Sequence, residues 1–125
     1  MAMTPEQIHA KVLRLFTWAP DQETFDRFEY WSSFADDVEQ GKPFTGDCDN
    51  FALTCAELLV RQGYDKEDIR LVTCWVETGG YHIVCTHKGY LLDNRQRRIM
   101  HWGQVPYKWD KAMVLSEVGV WRQVN

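Results

Sequence analysis

Cys48 stands where a loop turns into an apolar helix, within Gly46-Asp47-Cys48-Asp49-Asn50-Phe51-Ala52-Leu53-Thr54-Cys55-Ala56-Glu57-Leu58-Leu59. A sulfur at a helix N-terminus meets unpaired, outward-pointing backbone N–H groups and the positive end of the macrodipole, so a thiolate is favoured and a neighbouring oxyanion can be bound. That is the setting of a nucleophile. Asp47, Asp49 and Asn50 are helix-capping types, and Ala52, Cys55, Ala56 and Leu59 recur at the spacing of a buried helical stripe. Cys55, Cys74 and Cys85 read as core, because free cysteine is among the most buried residue types.

A thiol nucleophile needs a base, and the base needs a third group to hold its tautomer. The histidines are His9, His82, His87 and His101. If Lys88-Gly89 is a two-residue hairpin turn, His87 faces Tyr90 and Val84 faces Asp93, with His82 on the same sheet face as Val84. His82 and Asp93 then form a diagonal pair, about 7–8 Å apart at the backbone, which two polar side chains can close with a hydrogen bond. His87 falls on the other face, and a three-residue turn or bulge would reverse the parity. His9, on the first helix, and His101, beside Trp102, read as surface or locally satisfied residues.

The elements that must position these groups follow from the periodicities. Thr4-Pro5-Glu6-Gln7 opens a helix with a capping-box pattern and Pro at its first position, and Ile8, Val12, Leu15 and Phe16 give its apolar face. Trp18-Ala19-Pro20-Asp21 breaks it, and a second helical stretch carries Phe25, Phe28 and Trp31. The cysteine helix spans about 48–62 and stops at Gly63. Then the period changes. Arg70–Glu77, Tyr81–Thr86 and Tyr90–Asp93 read as consecutive antiparallel strands, followed by strand-like pieces at Val105–Trp109 and Val114–Val124. Helices first and a meander afterwards make the class α+β, with a central helix packed on an antiparallel sheet of three to five strands at about 70–124.

The chain of 125 residues suits one domain, 1–125, with N-terminal helices at about 4–40. Hydrophobic content of 45%, with 14% aromatic residues, excludes a disordered chain. No apolar run approaches the roughly 20 residues that a membrane span needs. A net charge of −4 without a basic tract argues against nucleic acid, and the run Arg95-Gln96-Arg97-Arg98 reads as a solvated loop. No basic-then-apolar leader opens the sequence, so the expected compartment is cytoplasmic or phage-associated rather than periplasmic. Four cysteines without paired spacing point to free thiols, and without a C-x-x-C pair a zinc site is a weak reading.

Gly46-Asp47-Cys48-Asp49-Asn50-Phe51-Ala52, Gly80-Tyr81-His82-Ile83-Val84, Leu91-Leu92-Asp93-Asn94, Tyr107-Lys108-Trp109 and Trp121-Arg122-Gln123-Val124 together resemble the bacterial transglutaminase-like cysteine proteinases. Upstream, Glu29-Tyr30-Trp31-Ser32-Ser33 is similar to the acidic-x-Trp-Ser segment of that family. The resemblance covers roughly residues 26–124 and implies a papain-like or transglutaminase-like core. It implies Cys48 as nucleophile, His82 as general base and acid, and Asp93 as the orienting carboxylate. No cofactor is required, but some members bind calcium through acids flanking the cysteine, which falls here on Asp47 and Asp49. These carboxylates should raise the Cys48 pKa, and bound calcium would cancel their charge and fix the loop. Asn50 stands where the family often has a second acid, and the alternative is that Asp47 and Asp49 simply cap the helix.

The expected function is cysteine-dependent acyl transfer, foremost a thiol peptidase acting on a protein or peptide substrate. The alternatives are a transglutaminase, in which an amine resolves the thioester, and a non-catalytic binding or assembly module that keeps the fold. The Cys48 N–H is the first expected oxyanion donor; Trp31 is the candidate for the second donor or for the substrate groove. Trp75, Tyr81, Tyr90, Trp102 and Trp109 either line a groove or belong to the core. The oligomeric state stays open.

Overall fold

The computed structural model describes residues 2–19 and 33–124. Helix α1 (Pro5–Leu15) starts with the expected capping box: Gln7 N donates to Thr4 Oγ1 at 3.1 Å, and Thr4 N to Gln7 Oε1 at 2.9 Å. Its buried side is Ile8, His9, Val12 and Leu15. Phe16 leaves the helix and begins strand β1 (Phe16–Trp18), because its ring is needed elsewhere, against Phe44 and Phe51 at centroid distances of 5.4 and 5.0 Å. The expected second helical stretch at Phe25, Phe28 and Trp31 lies outside the described residues. A short helix α2 (Ala35–Glu39) and strand β2 (Phe44–Gly46) then lead directly into helix α3 (Cys48–Arg61).

Strands β1 and β2 pair in parallel, Phe16 with Phe44 and Trp18 with Gly46, an element that the sequence reading lacks. It ties the end of α1 to the residues just before Cys48. Gly46 is required there, since a Cβ on it would lie 2.6 Å from Asn50 Oδ1.

The remaining strands are β3 (Ile69–Trp75), β4 (Tyr81–His87), β5 (Tyr90–Leu92), β6 (Met100–His101), β7 (Lys108–Val114) and β8 (Arg122–Gln123). They form one antiparallel sheet in the order β6-β5-β4-β3-β7-β8. Its six strands exceed the expected three to five, because the two-residue edge strands β6 and β8 carry almost no periodic signal. The strand expected at Val105–Trp109 begins instead at Lys108, after Pro106, which has no N–H to donate to a ladder. The polar pair Asp110-Lys111 hides this strand from a hydrophobic scan. In the fold, Asp110 is buried and accepts from Tyr81 Oη at 2.6 Å and Gln123 Nε2 at 3.3 Å.

Two cores sandwich the sheet. The larger places α1 and α3 against Ile69, Leu71, Ile83, Cys85, Leu92 and Met113. The smaller, on the opposite face, holds Val72, Cys74, Val84, Leu91 and Tyr107. The stripe Ala52, Cys55, Ala56 and Leu59 is buried throughout, and Cys55, Cys74 and Cys85 are buried free thiols as expected. The aromatics divide differently. Trp75, Tyr81, Tyr90 and Trp102 are exposed strand or turn residues rather than core.

Candidate active site

The turn between β4 and β5 decides the parity on which the site depends. Lys88 and Gly89 have φ of 51° and 86°, the pair of positive values a two-residue type I′ turn demands. The register is His87 to Tyr90, Thr86 to Leu91 and Cys85 to Leu92. Continued by one step this sets Val84 opposite Asp93, so His82 and Asp93 share a face. Their side chains close the diagonal: His82 Nε2 donates to Asp93 Oδ1 at 2.8 Å, with both residues buried. His87 lies on the other face, against the edge of Tyr64.

Asp93 is held from four directions. Tyr107 Oη donates to Oδ2 at 2.5 Å, Arg95 N donates to Oδ1 at 3.0 Å, and His9 Nε2 donates to the backbone carbonyl at 2.9 Å. Burial pushes the carboxyl up, but the hydrogen bonds from His82, Tyr107 and Arg95 outweigh it and hold Asp93 below the ordinary carboxylate value. Burial and the Asp93 carboxylate push the Tyr107 phenol up to about 12, so it stays a donor. Tyr107 in turn meets the His82 ring edge-on at 5.9 Å and accepts from Gln96 Nε2 at 3.1 Å. The Arg95 guanidinium lies over its ring at 5.4 Å and forms a bidentate pair with Glu77 at 2.8 and 2.9 Å.

Because Nε2 is committed to Asp93, Nδ1 is the His82 nitrogen left for other chemistry. Strand β5 ends at Leu92, so the edge of β4 from Tyr81 to Val84 is not paired with β5. The Cys48 sulfur reaches β4 there, where it can accept from the backbone N–H of Ile83, the residue after His82.

At the head of α3, Asp47 Oδ1 accepts from Asp49 N at 3.1 Å and Asn50 N at 3.3 Å, and Asn50 Oδ1 accepts from Asp47 N at 3.0 Å. This capping box satisfies the N–H groups of Asp49 and Asn50, and Cys48 supplies the first N–H of the helix. The sulfur is half-buried and its thiol points at Asp49 Oδ1, 3.8 Å away. Burial, then the Asp49 charge, then the Asp47 charge push the thiol up from 9.0 to about 12, against the single lowering contact from Ile83 N–H. The helix terminus therefore does not by itself yield a thiolate.

Trp31 lies outside the described residues. Among those described, no group of three or more His, Cys, Asp or Glu side chains converges on a point where a metal ion could sit.

The profile of the bacterial transglutaminase-like cysteine proteinases (BTLCP) matches residues 3–125. The chain belongs to that family. LapG of Legionella pneumophila has the same fold. In its EGTA-treated form it superposes with a TM-score of 0.74 at 19% identity, over 97% of this chain and 66% of that chain. In its calcium-bound form the TM-score is 0.69 at 20% identity, over 94% and 67%. This chain thus spans about two thirds of the length of the LapG chains it matches. No curated protein matches it significantly in sequence.

Within this proteinase fold, Tyr107, His9 and Arg95 are the residues that sequence reasoning leaves without a role. Tyr107 lies in a segment resembling the family, which is a usable signal. Arg95 looks like a solvated loop residue in the sequence; it pairs with Glu77 and covers Tyr107 instead. His9 is satisfied as expected, but by the Asp93 backbone, and nothing local to α1 points there.

Proposed function

We propose that this family member is a cysteine peptidase in which Cys48 is the nucleophile, His82 the general base and acid, and Asp93 the orienting carboxylate. The observation that carries the reading is the buried pairing of Asp93 with His82, whose strand also meets the Cys48 sulfur at Ile83. With Nε2 fixed, Nδ1 is the ring nitrogen left to take the thiol proton, and Asp93 stabilises the imidazolium that forms.

A thiol pushed up to about 12 is protonated in the resting protein. Its proton therefore leaves as the carbon–sulfur bond forms. His82 takes it while Cys48 Sγ attacks the amide carbonyl, and the carbonyl oxygen becomes an oxyanion beside the Cys48 N–H. Collapse of the tetrahedral intermediate breaks the carbon–nitrogen bond, and His82 returns the proton to the departing amine. Water, deprotonated by His82, then attacks the thioester, releasing a carboxylate and the Cys48 thiol. An amine in place of water would give transamidation; the family's name favours hydrolysis.

LapG in a calcium-bound form raises the same ion for Asp47 and Asp49. The oxygen donors suit calcium, which takes about six to eight of them. However, Asp47 Oδ1 and Asn50 Oδ1 are already committed to the capping box. Among the described residues no third carboxylate, His or Cys joins Asp47 and Asp49, so no step above runs through an ion. A chelator is expected to change the rate by less than about twofold. A rate that collapses in chelator and returns with calcium would make Asp47 and Asp49 ligands.

The test compares new N-termini formed in host lysate by the wild type, Cys48→Ala and His82→Ala. Cleavages present only with the wild type support the peptidase. Glutamine–lysine cross-links in their place would make it a transglutaminase, and neither product would leave a binding module.

A further inference from the structure

The sheet face opposite α3 carries a cavity of about 330 Å³ that the proposed chemistry does not use. That volume is at the small end of ligand-sized clefts, about 300–1,000 Å³. Val72 and Leu91 are buried and form its floor; Trp109 and Val124 line it, and the exposed Arg70 and Trp102 stand at its mouth. Thr86, which also lines it, is four residues along β4 from His82, about 13 Å at the rise of a strand. The cavity reaches the candidate site only through Trp109, which meets Tyr107 edge-on at 5.6 Å, and its ligand chemistry does not depend on the cysteine reading.

Two observations point to a ligand. First, Trp102 is 53% exposed, its backbone N–H donates to Gly89 O at 3.0 Å, and its ring meets that of His101 at 5.5 Å. An exposed indole with an anchored backbone and a ring neighbour offers a large apolar face at a small entropic cost, as an anchoring aromatic does. Second, the Arg70 guanidinium lines this otherwise apolar cavity with no ion pair or side-chain hydrogen bond to a described residue. The cavity thus combines apolar walls, Thr86 and a guanidinium that no described residue pairs.

We propose that this cavity binds an apolar or aromatic group bearing a single carboxylate, with Arg70 pairing the carboxylate and Trp102 and Trp109 holding the apolar body. One guanidinium in an apolar surround matches a singly charged, planar anion; a doubly charged phosphate would need more donors than these residues supply. The same chemistry is found at the C-terminal residue of a polypeptide and in a small free acid.

NMR amide-shift titration tests this with N-acetyl-phenylalanine, N-acetyl-phenylalaninamide and a pentapeptide ending in phenylalanine. The acid is expected to bind saturably, shifting amides near Thr86, Gly89 and Ala112, with the neutral amide about tenfold weaker. Arg70→Gln should erase that difference, Trp102→Ala should weaken acid and amide alike, and Trp102→Phe should keep most of the binding. Melting temperature confirms that each variant is folded. A pentapeptide tighter than the acid identifies a polypeptide terminus as the ligand; one no tighter identifies a small acid. Equal binding of acid and amide by the wild type, shifts confined to other regions, no saturable shift, or discrimination surviving in Arg70→Gln would overturn the proposal.

Discussion

The imidazole end of the candidate site and its sulfur end differ in how completely their charges are answered. At the imidazole end, both Asp93 carboxylate oxygens and its backbone carbonyl accept hydrogen bonds from side chains or backbone drawn from α1, β4 and the loops around β6. At the sulfur end, the two nearest charges, Asp49 and Asp47, oppose ionisation, and one N–H favours it. One end is organised before any substrate arrives, and the other keeps its nucleophile protonated until a base takes the proton. The contrast explains how a helix-terminal cysteine can sit between two acids and still be poised for attack: reactivity comes from His82 at the moment of reaction rather than from a standing thiolate.

Breaking each end should have different consequences. Cys48→Ala is expected to abolish turnover with a stability change below about 1 kcal/mol, since the sulfur is half-buried and makes only a weak thiol hydrogen bond. His82→Ala should abolish turnover too and also cost about 2–3 kcal/mol in urea unfolding, because it leaves the buried Asp93 carboxylate short of a donor. Equal stability losses in the two variants would erase the distinction.

Tyr107→Phe keeps the ring and removes the donor to Asp93 Oδ2 together with the acceptor of Gln96 Nε2. It should lower kcat about 10–100-fold, by analogy with other supporting hydrogen bonds, and cost about 1–2 kcal/mol. The acid limb of stability sharpens the same point. Because Asp93 is held below its ordinary 3.8, the folded state binds fewer protons than the unfolded one. Its contribution is complete above that value and is lost as pH falls through the lower, folded one. Asp93→Asn should flatten the acid limb below about pH 4 in a pH series of urea melts.

The sulfur end is probed by Asp49→Asn. Removing that charge lowers the Cys48 pKa from about 12, so iodoacetamide alkylation at pH 8–9 should speed up several-fold, to about tenfold at most. No acceleration would mean burial alone sets the thiol. Smallest is Glu77→Gln, which breaks a pair whose partners are both partly exposed and should leave the urea midpoint almost unchanged.

The same contrast separates what the sequence reveals from what it hides. Helix α3 and its stripe are legible because apolar residues repeat at helical spacing from Ala52 to Leu59. The His82–Asp93 face is legible because Lys88-Gly89 closes a two-residue turn and strand parity does the rest. Direction is legible for Cys48 as well: acids on either side have to raise its pKa. The hidden part comes from distant stretches of the chain. His9 reaches Asp93 across 84 positions and Tyr107 across 14, and neither contact leaves a local pattern. Strand β7 is misplaced by a hydrophobic scan because a buried Asp110 looks like a turn residue until Tyr81 and Gln123 are set beside it. The parallel β1–β2 pair, three residues a side, is too short to announce itself, yet it fixes the loop that carries Cys48.

The most direct measurement is acylation of Cys48 by p-nitrophenyl acetate, followed by the release burst and by mass-spectrometric mapping of the acetyl group, in the wild type and in His82→Ala. One equivalent on Cys48 is expected in the wild type, with a rate at least about a hundredfold lower without the imidazole. Equal rates in the two proteins, or acetyl groups spread over other residues with Cys48 unmodified, would overturn the pairing of this sulfur with this ring.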